Sequence, residues 1–152
     1  MKKSVLVIST LNTKRQETLY LKDKIEACGL EPLLMDISMR GTQASPADIP
    51  PERVAAAGGG NFDDIRNSKD RTLITDITIA GASKIAKQLQ AEGKIHGITG
   101  MGGATGSFMI TEVMQTLPFG LAKLMISSAA ALPALSKTFL SRSESPDNST
   151  TE

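Results

Sequence analysis

Two stretches of the chain concentrate groups able to hold a small anion. Gly97-Ile-Thr-Gly-Met-Gly-Gly-Ala-Thr-Gly-Ser107 lies between a short apolar run and a helix-like run beginning near Phe108. Glycines there permit positive φ and close approach of the backbone. Amides of such a loop, and of the helix N-terminus after it, can point at a phosphate or carboxylate. Thr105 and Ser107 add hydroxyls. In Ser9-Thr-Leu-Asn-Thr-Lys14, Thr10, Asn12 and Thr13 can donate hydrogen bonds, and Lys14 can neutralise phosphate charge. Both stretches also have a purely structural reading. The first is then a tight strand-to-helix turn, and in the second Asn12 or Thr13 caps a helix. The spacing Gly100-x-Gly102-x-x-x-Gly106 departs by one position from the dinucleotide fingerprint. It also lacks the lysine of a phosphate-binding P-loop, so neither motif is matched.

Asp36 ends an apolar run, a place where an acid can accept bonds from ribose hydroxyls or cap a turn. Arg40 can pair with Asp36 or reach phosphate. His96 reads as a packed or edge histidine, and Cys28, on an apolar helical face, as core. Asp63, Asp64 and Asp70 read as a solvated acidic patch or a helix start rather than a metal site. No nucleophile–base arrangement emerges, so no catalytic residue is assigned and the question of an enzyme stays open.

The surrounding pattern says what positions these groups. Val5–Ile8 and Leu33–Ile37 are short apolar runs suited to buried parallel strands. Between them Leu21, Ile25 and Cys28 share a helical face, with Thr13-x-x-Gln16 in capping-box form and Gly29 as the stop. From Met39 to Gly60, Pro46, Pro50, Pro51 and Gly58-Gly-Gly60 read as a long loop with a short helix at Glu52–Ala57. A helical pattern runs from Thr72 to Glu92, with Ile74, Ile77, Gly81, Ile85 and Leu89 on one broad face. Ile95–Thr99 and Leu121–Ile126 are two more strands, separated by the glycine stretch and a helix bearing Met109, Val113, Met114 and Leu117. Alternation of this kind predicts an α/β fold, a Rossmann-like or flavodoxin-like three-layer sandwich with a short parallel sheet in the order 2-1-3-4. The expected division is one subdomain over residues 1–132, with 39–62 as a long flexible loop, and a largely disordered Ser- and acid-rich tail over 133–152.

Composition narrows the function further. The 152 residues carry 17 basic and 16 acidic side chains. That balance gives no electrostatic case for nucleic acid or an anionic membrane. One cysteine and one histidine exclude an internal disulfide and cysteine- or histidine-rich metal clusters. The opening apolar run is too short for a signal peptide, and no run reaches the roughly 18 apolar residues of a membrane span. A cytoplasmic protein is the expectation.

Three segments together resemble one known family. Ser9-Thr-Leu-Asn-Thr-Lys14, with Glu17 and Leu21 beyond, is similar to the opening segment of the Tm-1-like ATP-binding domain family, also called UPF0261. Gly93–Ser107 and Leu117–Ser128 resemble two of its later segments, and Asp36 and Asp70-Arg71 also fit. The likeness covers about residues 3–130. It implies the N-terminal one of two Rossmann-like subdomains, with a nucleotide as ligand: ATP, with or without magnesium. Carried over residue by residue, the implied contacts are Thr10, Asn12, Thr13, Lys14 and Asp36, with Gly102, Gly103, Ala104, Thr105, Gly106 and Ser107. Asn12 stands where the family often has Asp, which removes a magnesium or ribose ligand. Ala104-Thr-Gly-Ser107 replaces Ser-Gly-Gly-Thr. The implied partners are the nucleotide and either further copies of the chain or a second subdomain. Two competing readings are an interaction or assembly module whose glycine stretch is only structural, and a fragment of an enzyme whose catalytic residues lie in a second subdomain.

Overall fold

The apolar runs become the middle of a parallel sheet. In a computed structural model, which describes residues 1–41 and 44–130, the strands are β1 (Ser4–Ser9), β2 (Glu31–Asp36), β3 (Gly97–Gly102) and β4 (Ala122–Ser127). Their order is β2-β1-β3-β4, the order expected, and every pairing is parallel. Five helices accompany them among the described residues: α1 (Leu11–Ala27), α2 (Pro51–Ala57), α3 (Phe62–Asn67), α4 (Arg71–Ala91) and α5 (Ala104–Gln115). The expected tail lies outside the described residues.

Strand residues alternate between two faces. Leu6, Ile8, Met35 and Ile98 join Ala82 and Ala86 of α4 and Met109, Ile110 and Val113 of α5 in the main core. Val7 and Leu34 face the other way, where Ile25 of α1 meets them. Each crossover is right-handed only if α1 lies on one face and α4 and α5 on the other, and this is the arrangement observed. Burial on both faces explains why β1 and β2 read as continuous apolar runs rather than alternating ones.

Several local expectations change. The glycine stretch is largely strand: β3 runs through Gly102, and α5 starts at Ala104 rather than near Phe108. Its glycines serve packing. A Cβ on Gly100 would stand 2.3 Å from Ile110 Cγ2, and one on Gly102 would stand 2.8 Å from the Ser107 amide nitrogen. α1 begins at Leu11, so the capping box at Thr13 does not form; Thr10 is the N-cap and makes no side-chain cap bond. Cys28 is exposed, because α1 ends at Ala27 before its apolar face can bury it. His96 lies just outside β3, and its Nδ1 accepts the Ser4 amide at 3.0 Å.

The short helix expected at Glu52–Ala57 within the long loop is present, and a bridge to the sheet precedes it. Ile49 bridges Met35 of β2, and α2 follows with Pro51 at its start. The charged stretch after it holds α3, whose N-cap Asn61 accepts the Asp63 amide, and the Asp70 N-cap of α4, which accepts the Leu73 amide. Asp63 and Asp64 occupy the first turn of α3, where carboxylates suit the helix dipole.

Candidate functional site at the strand-order reversal

β1 leads through α1 to β2 on one side, while β3 leads through α5 to β4 on the other. The reversal between β1 and β3 opens a crevice beyond their carboxyl ends, the place where open α/β sheets take ligands. A cavity of about 320 Å³ lies there. Thr10, Asn12 and Thr13 line it from the β1–α1 junction, Gly103, Ala104, Thr105 and Gly106 from the start of α5, and Arg40 and Arg71 from the segments after β2. Two stretches 90 residues apart in sequence thus meet in one wall. A Cβ on Gly106 would touch Thr10 Cγ2 at 3.6 Å.

The two helix N-termini facing this crevice are not equivalent. That of α1 is already occupied. Asp36 is 3 % exposed, and its Oδ1 accepts the Leu11 amide at 3.2 Å and the Ser38 amide at 2.9 Å. The Ser38 hydroxyl donates to the same oxygen and accepts the Asn12 amide at 3.1 Å, and the Ser45 hydroxyl donates to Asp36 Oδ2 at 2.6 Å. Thr13 and Lys14 amides both reach the Thr10 carbonyl. Asp36 therefore caps α1 from the neighbouring strand, and its two oxygens are engaged by the protein itself.

The start of α5 is open by comparison. No side chain caps it and no acidic residue lies in its first turn. The leading amides of a helix have no intrahelical acceptor, so those of α5 are left for water or a ligand. Its geometry is braced from below: Ser107 is fully buried and donates to the Gly102 carbonyl at 3.2 Å, with the Ser127 hydroxyl 2.6 Å away. Ser107 thus holds the turn rather than facing the cavity.

The other residues fall into two groups. Thr10 and Thr13 keep their hydroxyls 3.1 Å apart at the cavity wall. Lys14 turns to Glu17 Oε1 at 3.5 Å and is not part of this cavity's wall. The cations that do line the cavity are the two arginines. Arg40 donates to the Arg66 and Ser68 carbonyls, both at 3.3 Å, which ties it to the α3–α4 junction. Arg71 has no hydrogen-bond or ion-pair partner among the described residues. It is the first residue of a 21-residue helix, where a cation opposes the helix dipole. A basic residue directly after an Asp N-cap was the sequence signal for this position.

An α/β sandwich with an open helix start at its strand-order reversal is the class that fold and site define. Residues 3–139 match the model of the uncharacterised protein family UPF0261, N-terminal domain, and the chain belongs to that family. It is 33% identical over 131 residues to a UPF0261 protein of Clostridium tetani, covering 86% of this chain and 32% of that one. A UPF0261 protein of Rhizobium meliloti is 36% identical over 129 residues, 85% of this chain and 31% of the relative. One from Brucella suis is 29% identical over 126 residues, covering 83% and 30%. The chain spans about a third of the length of these curated relatives.

Proposed function

We propose that the chain binds a nucleotide, ATP by class, with its phosphates against the start of α5. The observation that carries this reading is the meeting of three anion-binding features in one cavity: the uncapped α5 N-terminus, the Thr10 and Thr13 hydroxyls, and Arg71, which has no partner among the described residues. Backbone amides at a helix N-terminus and an arginine fork both suit phosphate oxygens. The nucleotide binds free or as its magnesium complex, and the likeness to the Tm-1-like ATP-binding family favours ATP over other anions. No bond-making step is assigned to these residues.

Isothermal titration with ATP tests the reading. Arg71→Ala is expected to weaken binding about tenfold, the effect of losing about 1.4 kcal/mol. Equal affinity in the variant, or no binding by the folded wild type, would sink it. A second reading, an assembly module, is favoured by Leu124, which is 59% exposed on edge strand β4, and by fully exposed Phe119. Concentration-dependent self-association in a chain that fails to bind ATP would select it.

A further inference from the structure

A second cavity, of about 360 Å³, adjoins the first on the β2 side; both are lined by Asn12 and Arg40. Its apolar part comes from Pro46, Pro51 and Phe62, three separate segments after β2. Its polar part includes Asp36, Ser45, Arg15 and the Glu52 carboxylate. Asp36 holds this polar part rigid through its bonds to Leu11, Ser38 and Ser45. The first cavity sets Thr10, Thr13, Thr105 and the two arginines against an apolar wall of Met39, Ile74 and Met109, with no aromatic ring and no proline.

The geometry points to a nucleoside subsite in this second cavity, so that a nucleotide lies across Asn12 with its phosphates at α5 and its base beside Phe62. The inference rests on the phosphate reading of the first cavity. An aromatic base needs apolar surface for its faces and a few polar groups at its edges, and a cavity of this size and lining supplies both. The Phe62 ring can stack on a base, and so can the Arg40 guanidinium at the junction of the cavities. The competing direction runs the other way, along the surface between α4 and α5. There the single aromatic is Phe108, beside Thr72, Thr75 and the carboxylate of Asp76. Only the β2 side brings an aromatic ring and two prolines together.

The test compares ATP with inorganic triphosphate, which keeps the phosphates and lacks the nucleoside. Both are titrated against the wild-type chain, Phe62→Ala, Ala44→Phe and Phe108→Ala. Ala44 is exposed and lines the second cavity, so the larger ring fills the space without entering the core. ATP is expected to bind wild type at least about tenfold more tightly than triphosphate, the advantage of one stacked base. Phe62→Ala and Ala44→Phe are expected to remove that advantage and leave triphosphate affinity within twofold, while Phe108→Ala changes neither ligand. Equal affinity of wild type for the two ligands would overturn the nucleoside subsite and leave the phosphate reading standing. So would an ATP-selective loss in Phe108→Ala, or an ATP advantage that survives in Ala44→Phe. Should wild type bind neither ligand, both readings fall together. Phe62 also packs against Ala55, Ile65 and Ile74, so if circular dichroism shows Phe62→Ala to be unfolded, Ala44→Phe alone decides.

Discussion

Asp36 and Arg71 carry opposite predictions although they stand at one end of one sheet. Asp36→Ala would leave the Leu11 and Ser38 amides and the Ser45 hydroxyl without their acceptor. A buried polar group left unpaired costs about 1–3 kcal/mol. Urea denaturation of this variant should therefore show a loss of at least about 2 kcal/mol, with the α1 start loosened. A stability unchanged within error would mean that the network contributes nothing. Arg71→Ala removes a cation from the positive end of α4. Stability should stay level or rise by a few tenths of a kcal/mol, while ATP affinity falls. A variant that loses stability and keeps its affinity would make Arg71 a structural residue. The contrast also shows what the sequence could convey at this scale. An acid at the end of β2 was legible as significant, but the choice between binding ribose and capping a turn depended on Leu11 and Ser38 being within reach. Lys14 looked like the phosphate partner because it followed the threonines, yet the first turn of α1 carries it round to Glu17.

At the scale of elements, the sheet was legible because burial on both faces leaves continuous apolar runs, and, for the order observed, crossover handedness fixes the face on which each helix lies. The glycine stretch was misread because glycine signals both loops and close packing. In β3 the small residue lets Ile110 of α5 press onto the strand. α3 was legible only as a helix start at Asp63 and Asp64, because six residues give too few turns for a 3.6-residue period to register. Packing of α2 against α4 gives the sharpest element-level prediction. A Cβ on Gly81 would stand 1.9 Å from the Val54 carbonyl oxygen and 2.9 Å from the Gly58 amide nitrogen, both backbone atoms. Neither can rotate aside, so the two helices must separate. Gly81→Ala should cost about 1–3 kcal/mol despite alanine's better helix propensity, read as a lowered Tm. A raised Tm would show that α2 is not seated on α4 as described. Because α4 also delivers Arg71, the same variant should weaken ATP binding.

At the scale of the molecule, the two faces of the sheet are covered unequally. α4 and α5 shield one face, while α1 covers β1 and β2 on the other. Thr99 and Leu124 stand side by side in register on the α1 face, and Leu124 is exposed on the edge strand. An apolar edge strand is a template for pairing with another chain. Leu124→Lys should therefore reduce concentration-dependent association in sedimentation velocity; unchanged sedimentation across a broad concentration range in both proteins would show the edge to be inert.

On the proposed function, the space before α5 holds the phosphates of a nucleotide. Gly103 offers its most direct test. Its backbone is extended, with φ −80 and ψ −153, and a Cβ there meets no protein atom within 4 Å. Valine accepts that conformation, so Gly103→Val should fold like wild type while adding bulk to a residue that lines the cavity. Isothermal titration of ATP into both proteins is the measurement. Wild type is expected to bind ATP saturably and one to one, and the variant to lose at least about tenfold in affinity with an unchanged circular dichroism spectrum. Equal binding by the two proteins, or none by wild type up to millimolar ATP, would contradict the proposed function.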